Sequence, residues 1–153
     1  MTSRQRRHLF AAAAVLGMLV AGCEPSRQDR SDGASGESVR ERLVGHWLRD
    51  YDEGSQHIRR LLVLQSDGQF RESVRAVDAS GQATELANEG EWLFDGTNLK
   101  RRYKLLDGKT ISAPFAPFAT FEIRFESNRE FIGLDHVHKR SVRYQRVHEG
   151  AAL

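Results

Sequence analysis

Residues 119–126, Ala119-Thr120-Phe121-Glu122-Ile123-Arg124-Phe125-Glu126, alternate large apolar side chains with charged ones. Successive side chains of an extended chain point to opposite faces, so Phe121, Ile123 and Phe125 share a dry face while Glu122, Arg124 and Glu126 share a wet one. The stretch reads as a half-buried strand, and Ser127-Asn128 marks the turn after it.

Working outward, short apolar-rich stretches recur, separated by Asp67-Gly68, Ser80-Gly81, Asp95-Gly96 and Asp107-Gly108. Asp-Gly between such stretches signals a hairpin, because glycine tolerates positive φ and aspartate bonds the local backbone. The predicted strands are His46 to Asp52, Ile58 to Gln65, Gln69 to Val77, Ala83 to Phe94, Leu99 to Leu106, Ala119 to Glu126, Glu130 to Asp135 and Arg140 to Val147. No stretch between them is suited to a long crossover helix, which disfavours parallel α/β folds. The expectation is an all-β chain, an antiparallel up-and-down meander of about eight strands closed into a β-barrel, since closure removes exposed edges. An open sandwich is the competing arrangement.

The chain has 153 residues, 39% hydrophobic and 29% charged, with one cysteine. That is room for one domain, and it excludes a multi-pass membrane protein, a low-complexity chain, an intramolecular disulfide framework and a multi-thiolate zinc site. The net charge of +2, from 23 Lys and Arg against 21 Asp and Glu, depends on the N-terminus. Arg4, Arg6 and Arg7 precede an uninterrupted apolar and small-residue run, Leu9 to Ala21. A membrane-spanning helix needs about 20 such residues, so this shorter run suits a signal peptide.

The run ends in Val20-Ala21-Gly22-Cys23, which resembles the lipobox of bacterial lipoproteins. The resemblance implies a diacylglycerol on the Cys23 sulfur, cleavage between Gly22 and Cys23, and acylation of the new N-terminus. Small Ala21 and Gly22 give a peptidase access to the backbone, and Cys23 is the chain's only soft nucleophile. Cleavage removes three arginines and no acids, leaving 20 basic residues against all 21 acidic ones, so a basic-protein reading loses its ground. Two or three acyl chains anchor a protein stably where one does so marginally. Glu24 stands where aspartate is the usual inner-membrane retention signal of such lipoproteins, which points to the periplasmic face of the outer membrane.

The chain thus divides into a signal peptide (residues 1–22), a lipidated cysteine and flexible linker (23–38), a barrel (39–147) and a tail (148–153). Glu24 to Ser38 carries Pro, Gly, Ser and balanced charge with no large apolar residue, a tether with a reach of roughly 20 Å. Ser38-Val39-Arg40-Glu41 has the capping-box pattern, with Val39 and Leu43 on one helical face before Gly45, so a short helical turn is expected ahead of the first strand.

Gly45-His46-Trp47 after that turn, and the ending Tyr144-Gln145-Arg146-Val147, resemble the calycin group, specifically the lipocalin-like domains of bacterial lipoproteins. The resemblance implies that Gly45, Trp47 and an arginine of the last strand, Arg146 or alternatively Arg143, close one barrel end, with the arginine packed across the indole, an interaction contributing about 0.5 to 2 kcal/mol. Gly90-Glu91-Trp92 repeats the Gly-x-Trp pattern mid-chain. Unlike secreted lipocalins, the chain is short and lacks a disulfide pair and a long helix before its last strand. A ligand cavity and a filled core are both open on this reading.

Candidate ligand-lining residues are Trp92, Arg101, Tyr103, Phe115 and Phe118. Arg101 shares a predicted face with Leu99, Tyr103 and Leu105. An arginine there either holds a ligand carboxylate or pairs with a barrel glutamate such as Glu72. Phe115 and Phe118, in Pro114-Phe115-Ala116-Pro117-Phe118, either form a hydrophobic lip or fold back to plug the core. His136 and His138 share a strand face but border a turn and read as solvated, so no metal and no cofactor is expected. The basic clusters around Arg101 and Arg140 are interspersed with acids and read as barrel exterior, not as a nucleic-acid surface.

The chain contains no nucleophile elbow, phosphate-cradling glycine loop, paired-histidine metal helix or dinucleotide fingerprint, so no catalytic residue is assigned and an enzyme is not expected. The expected partners are the membrane, through the lipid anchor, and either a small apolar or amphipathic ligand or another envelope protein. A structural or assembly adaptor with a filled core is the alternative.

Overall fold

In a computed structural model, which describes residues 38–111 and 116–153, the chain forms nine strands: β1 (Gly45–Glu53), β2 (Gln56–Leu64), β3 (Gln69–Val77), β4 (Ala83–Phe94), β5 (Asn98–Leu106), β6 (Lys109–Thr110), β7 (Phe118–Ser127), β8 (Glu130–Asp135) and β9 (Arg140–Val147). Each of β1 to β5 pairs antiparallel with the next, β5 with β7, β7 with β8, β8 with β9, and β9 returns to β1. Eight strands therefore close into an up-and-down barrel. The two-residue β6 pairs with the end of β5 as an added flap. It follows Asp107 (φ 47) and Gly108 (φ 73), two successive left-handed residues that reverse the chain tightly.

Side-chain parity divides each strand between wall and interior. Trp47, Leu62, Glu72 and Asn88 lie opposite one another across β1 to β4 and face inward. On β7 the alternation places Phe121, Ile123 and Phe125 against the core. One expected face differs: a bulge between Glu89 and Gly90 shifts the β4–β5 register. Tyr103 sits opposite Gly90, but Leu105 falls opposite Glu89 on the wall, and Leu106 is the residue packed against the core. A single extra residue thus reverses inside and outside for the end of β5.

A helix over 38–43 covers one barrel end. Its Leu43 is fully buried, and Val39 packs against the same cluster. Arg40 donates to the Ser66 carbonyl and lies 5.1 Å from the Trp92 ring; Arg42 donates to the Ser127 carbonyl and lies 3.9 Å from the Phe125 ring. Two arginines on one short helix therefore tie it to turns on opposite sides of the barrel.

Beneath it, Trp47 donates its indole N–H to the Leu43 carbonyl at 2.7 Å and meets Phe131 edge-on at 4.7 Å. Arg146 lies 4.2 Å from the Trp47 ring centroid, and its guanidinium donates to the carbonyls of Val44 (3.0 Å) and Arg42. Gly45 makes this latch fit: a Cβ there would stand 2.6 Å from Arg146 Nη1. The second Gly-x-Trp has the same steric logic, since a Cβ at Gly90 would lie 2.0 Å from the Arg102 carbonyl oxygen and 2.8 Å from the Phe70 ring. Arg146→Ala is expected to cost about 2 kcal/mol in urea unfolding, because two helix-end carbonyls lose a donor and Trp47 loses its cationic cover. Arg146→Lys should recover less than half of that, as one ammonium cannot span both carbonyls and the ring.

Candidate binding site

The inward-facing side chains are not equally dry along the barrel. At the helix-covered end Trp47, Phe70, Leu64, Leu99 and Phe131 are fully or almost fully buried. Toward the other end, where β1 finishes and β4 begins, Tyr51, Ala76 and Asn88 are only half-buried, and Thr84 is exposed. Leu86 is the sharpest contrast: opposite buried Val74 on the inner face, it is 43% exposed, whereas Trp47 is 0% exposed. The barrel is thus plugged at the helix-covered end, and solvent reaches the inner face at the other, where the β3–β4 hairpin runs on past the last β4–β5 pair at Asn88 while Ile58 and Val74 stay buried.

Between plug and mouth lies a polar layer centred on Glu72. Arg101 Nη1 (2.6 Å) and Arg60 Nη1 (3.0 Å) donate to its Oε1, and Asn88 Nδ2 (3.1 Å) and the Tyr103 hydroxyl (3.2 Å) donate to its Oε2. Burial would raise the Glu72 pKa, but attraction to Arg101 and Arg60 and the donated hydrogen bonds outweigh it and hold the carboxyl down at about 2. The same attraction raises both guanidinium pKa values despite their own desolvation. Burial pushes the Tyr103 hydroxyl up to about 12, so it is a neutral donor here.

The layer has more positive than negative charge. Arg49 sits opposite Arg60 across β1 and β2, on the same inner face. Its guanidinium carbon lies over the Tyr51 ring, 3.7 Å from the centroid, and the group has no carboxylate partner among the described residues. Burial lowers its pKa, and the charges of Arg60 and Arg140 push the same way. Asp135, across the mouth, does not compensate it. Asp135 accepts from the Val137 and His138 amides, from His138 Nδ1 and from Arg140 Nε, which lower its pKa to about 2. In addition, the buried Nε atoms of Arg60 and Arg101 have no hydrogen-bond partner among the described residues.

The candidate lining residues fall in three places: the internal ion network, the plug and the outer wall. Arg101, 2% exposed and salt-bridged to Glu72, belongs to the internal ion network rather than to a ligand surface. Tyr103 is buried by the same network, its ring edge-on to Phe70 at 5.2 Å. Trp92 packs into the closed end, donating its indole N–H to the Gln65 carbonyl at 2.9 Å, and also lines the outer-wall groove that Phe118 borders. Phe118 neither lines the interior nor plugs the core. It lies opposite Arg102 on the outer wall, 68% exposed, and with Leu93 borders a shallow groove of about 490 Å³. Phe115 lies outside the described residues, as do Gly22 and Cys23. His136 and His138 bond to different carboxylates, Glu122 and Asp135 respectively.

Arg49 and Arg60 were not singled out by the sequence reading. Their signal was parity alone: Arg49 is two residues from Trp47, and Arg60 two from Leu62, both core positions. No protein-family model matches the chain, and no curated protein matches it.

Proposed function

We propose that this is a lipid-anchored protein of the bacterial envelope, held through Cys23, whose lipocalin-like barrel receives a small amphipathic molecule through the open end. The observation that carries the reading is the gradient from fully buried Trp47 to half-exposed Leu86 along one inner face. An inner wall that is apolar and wet at one end costs hydration free energy, which an apolar ligand segment would recover. The tether over Glu24 to Ser38 would hold the mouth clear of the headgroups, and Glu24 favours the periplasmic face of the outer membrane.

Native mass spectrometry of the chain from residue 24 tests the binding half, because that chain retains every strand of the closed barrel. A co-purifying small molecule, released by solvent, is the expected result. A bare polypeptide mass that takes up no added amphiphile would contradict it. For the anchor, Cys23→Ser is expected to abolish lipid labelling and membrane retention in the cell; unchanged labelling would sink the lipoprotein assignment.

A second reading has its own observation. Leu93, 52% exposed, and Phe118 form an apolar strip on the outer wall, flanked by Lys100, Arg102 and Glu91, which suits docking to another envelope protein. An adaptor acting there would leave the barrel interior without a ligand.

A further inference from the structure

We propose that the cleft beneath the C-terminal tail, on the outside of the barrel, binds the phosphate group of a phosphate monoester, and that Arg129 and Arg59 grip it. The cleft holds about 460 Å³ and is lined by Arg59, Arg129, Arg146 and His148 over an apolar floor that includes Leu48 and Val147. Three guanidiniums meet there and, among the described residues, no carboxylate lines it. Like charges gathered in a concave, partly desolvated site raise the local potential, and a bound anion relieves it. The site is separate from the barrel interior and does not depend on what the interior holds.

Each wall follows from the fold. Leu48 and Arg59 stand on the outer face of β1 and β2, where Arg59 lies opposite Asp50. Arg129, in the turn after β7, is held through its backbone: its amide donates to Ser127 Oγ at 3.1 Å, and its carbonyl accepts from the Arg146 amide at 2.7 Å. The tail closes the remaining side. Gly150 adopts φ 83 and the Ala151 amide donates to the His148 carbonyl at 3.2 Å, a turn that brings Ala151 and Ala152 back onto the cleft.

The cationic groups divide the work. Arg146 has its guanidinium committed to the carbonyls of Val44, Arg42 and Asn128, so it supplies fixed charge rather than a free fork. Arg59 places Nε 3.2 Å from Asp50 and keeps its two Nη groups, while the Arg129 guanidinium has no carboxylate partner among the described residues. His148 donates from Nδ1 to the Glu149 carbonyl at 2.8 Å, which leaves Nε2 for a ligand. The acids nearest in the fold are engaged: Asp50 with Arg59 and His57, and Glu130 with Arg143.

Two open forks beside one fixed charge match a group with up to two negative charges and three terminal oxygens, which is a phosphate monoester. A carboxylate, with one charge and two oxygens, fills only one fork. The helix over 38–43 lies at this same end of the barrel, and from Ser38 the chain runs back to Cys23. A membrane phospholipid and a soluble ester are therefore the two sources of the group.

The test titrates the chain from residue 24 calorimetrically with glycerol 3-phosphate and with acetate, and measures its co-sedimentation with phosphatidylcholine vesicles with and without phosphatidate. Glycerol 3-phosphate is expected to bind at least about tenfold more tightly than acetate. Arg129→Ser should weaken it about tenfold, and Arg59→Met added to that about a hundredfold, for the loss of one and then two charge-assisted contacts. Arg129 is exposed and in no ion pair among the described residues, so its single variant serves if the double one does not fold. Arg124→Ser, which removes an exposed arginine elsewhere on the outer wall, should stay within about twofold of wild type.

Sedimentation that requires phosphatidate, falls in the same order of variants and is displaced by glycerol 3-phosphate supports the site with a lipid as the source. Binding of glycerol 3-phosphate without sedimentation supports it with a soluble ester. No binding of glycerol 3-phosphate, or acetate bound as tightly, would overturn the proposal. So would an affinity that Arg129→Ser leaves unchanged, or an equal loss in Arg124→Ser, which would reduce the effect to general charge attraction.

Discussion

Glu72→Gln is expected to lower stability by about 3–5 kcal/mol, which for a domain of this size removes at least about 10 °C from the melting temperature. The cost is not the lost bond as such. Arg101 is 2% exposed, and without a carboxylate its charge stays buried and unanswered. Glu72→Leu combined with Arg101→Leu should recover much of the loss, since an apolar pair removes charge and counter-charge together. Chemical unfolding followed by circular dichroism distinguishes the two; a loss below about 1 kcal/mol for Glu72→Gln would contradict an ion network that organises the barrel's middle.

The same carboxyl makes stability pH-dependent in a definite direction. Its folded pKa is held at about 2, below the ordinary value of 4.5, so the ionised form is favoured by folding. The associated stabilisation, on the order of 3 kcal/mol, is complete above about pH 4.5 and is lost as pH falls toward 2. Glu72→Gln should therefore flatten the acid limb of the stability profile as well as lower it.

Trp47→Ala is the second large effect, about 3–5 kcal/mol from transfer and cavity terms. It empties the junction of the helix over 38–43, the Arg146 latch and the Phe131 ring at 4.7 Å. It also strips the Leu43 carbonyl of its indole donor. Trp47→Phe should restore roughly half by refilling the space without the hydrogen bond. Unfolding midpoints in urea measure both; equal losses for Ala and Phe would mean that the hydrogen bond, not packing, holds the plug.

These effects follow from how the sequence specifies the barrel. The eight wall strands were legible because alternation such as Phe121-x-Ile123-x-Phe125 and turns such as Asp95-Gly96 are local signals, carried by residues close in the chain. In the turn, Asp95 Oδ1 accepts from the Thr97 and Asn98 amides, the local bonding that makes Asp-Gly a marker. Gly45, Trp47 and Arg146 were brought together by the resemblance to lipocalin-like domains, and in the structure they supply space, ring and fork respectively. Glu72 and Arg101 could be matched because each sits in an alternating strand.

Arg49 and Arg60 were obscured for a physical reason. In Arg59-Arg60-Leu61-Leu62-Val63-Leu64 both faces of β2 are apolar, and Leu61 and Val63 on the wall are themselves half-buried, so parity cannot be read without the partner strands. The bulge at Gly90 that turns Leu106 inward is likewise a property of pairing, invisible along one strand. Lip and plug stayed open for Phe118 because aromatic residues are usually drawn inward, whereas its register partner Arg102, a property of pairing, fixes it on the outside.

The most direct measurement is methyl-resolved NMR of the chain from residue 24 during titration with dodecanoate. An open-ended, plugged barrel predicts shifts at Ile58, Val74, Leu86 and Leu106, with Leu43 and Leu64 in the plug unmoved. Shifts confined to Leu93 on the outer wall, or no shifts at a saturating concentration, would contradict it.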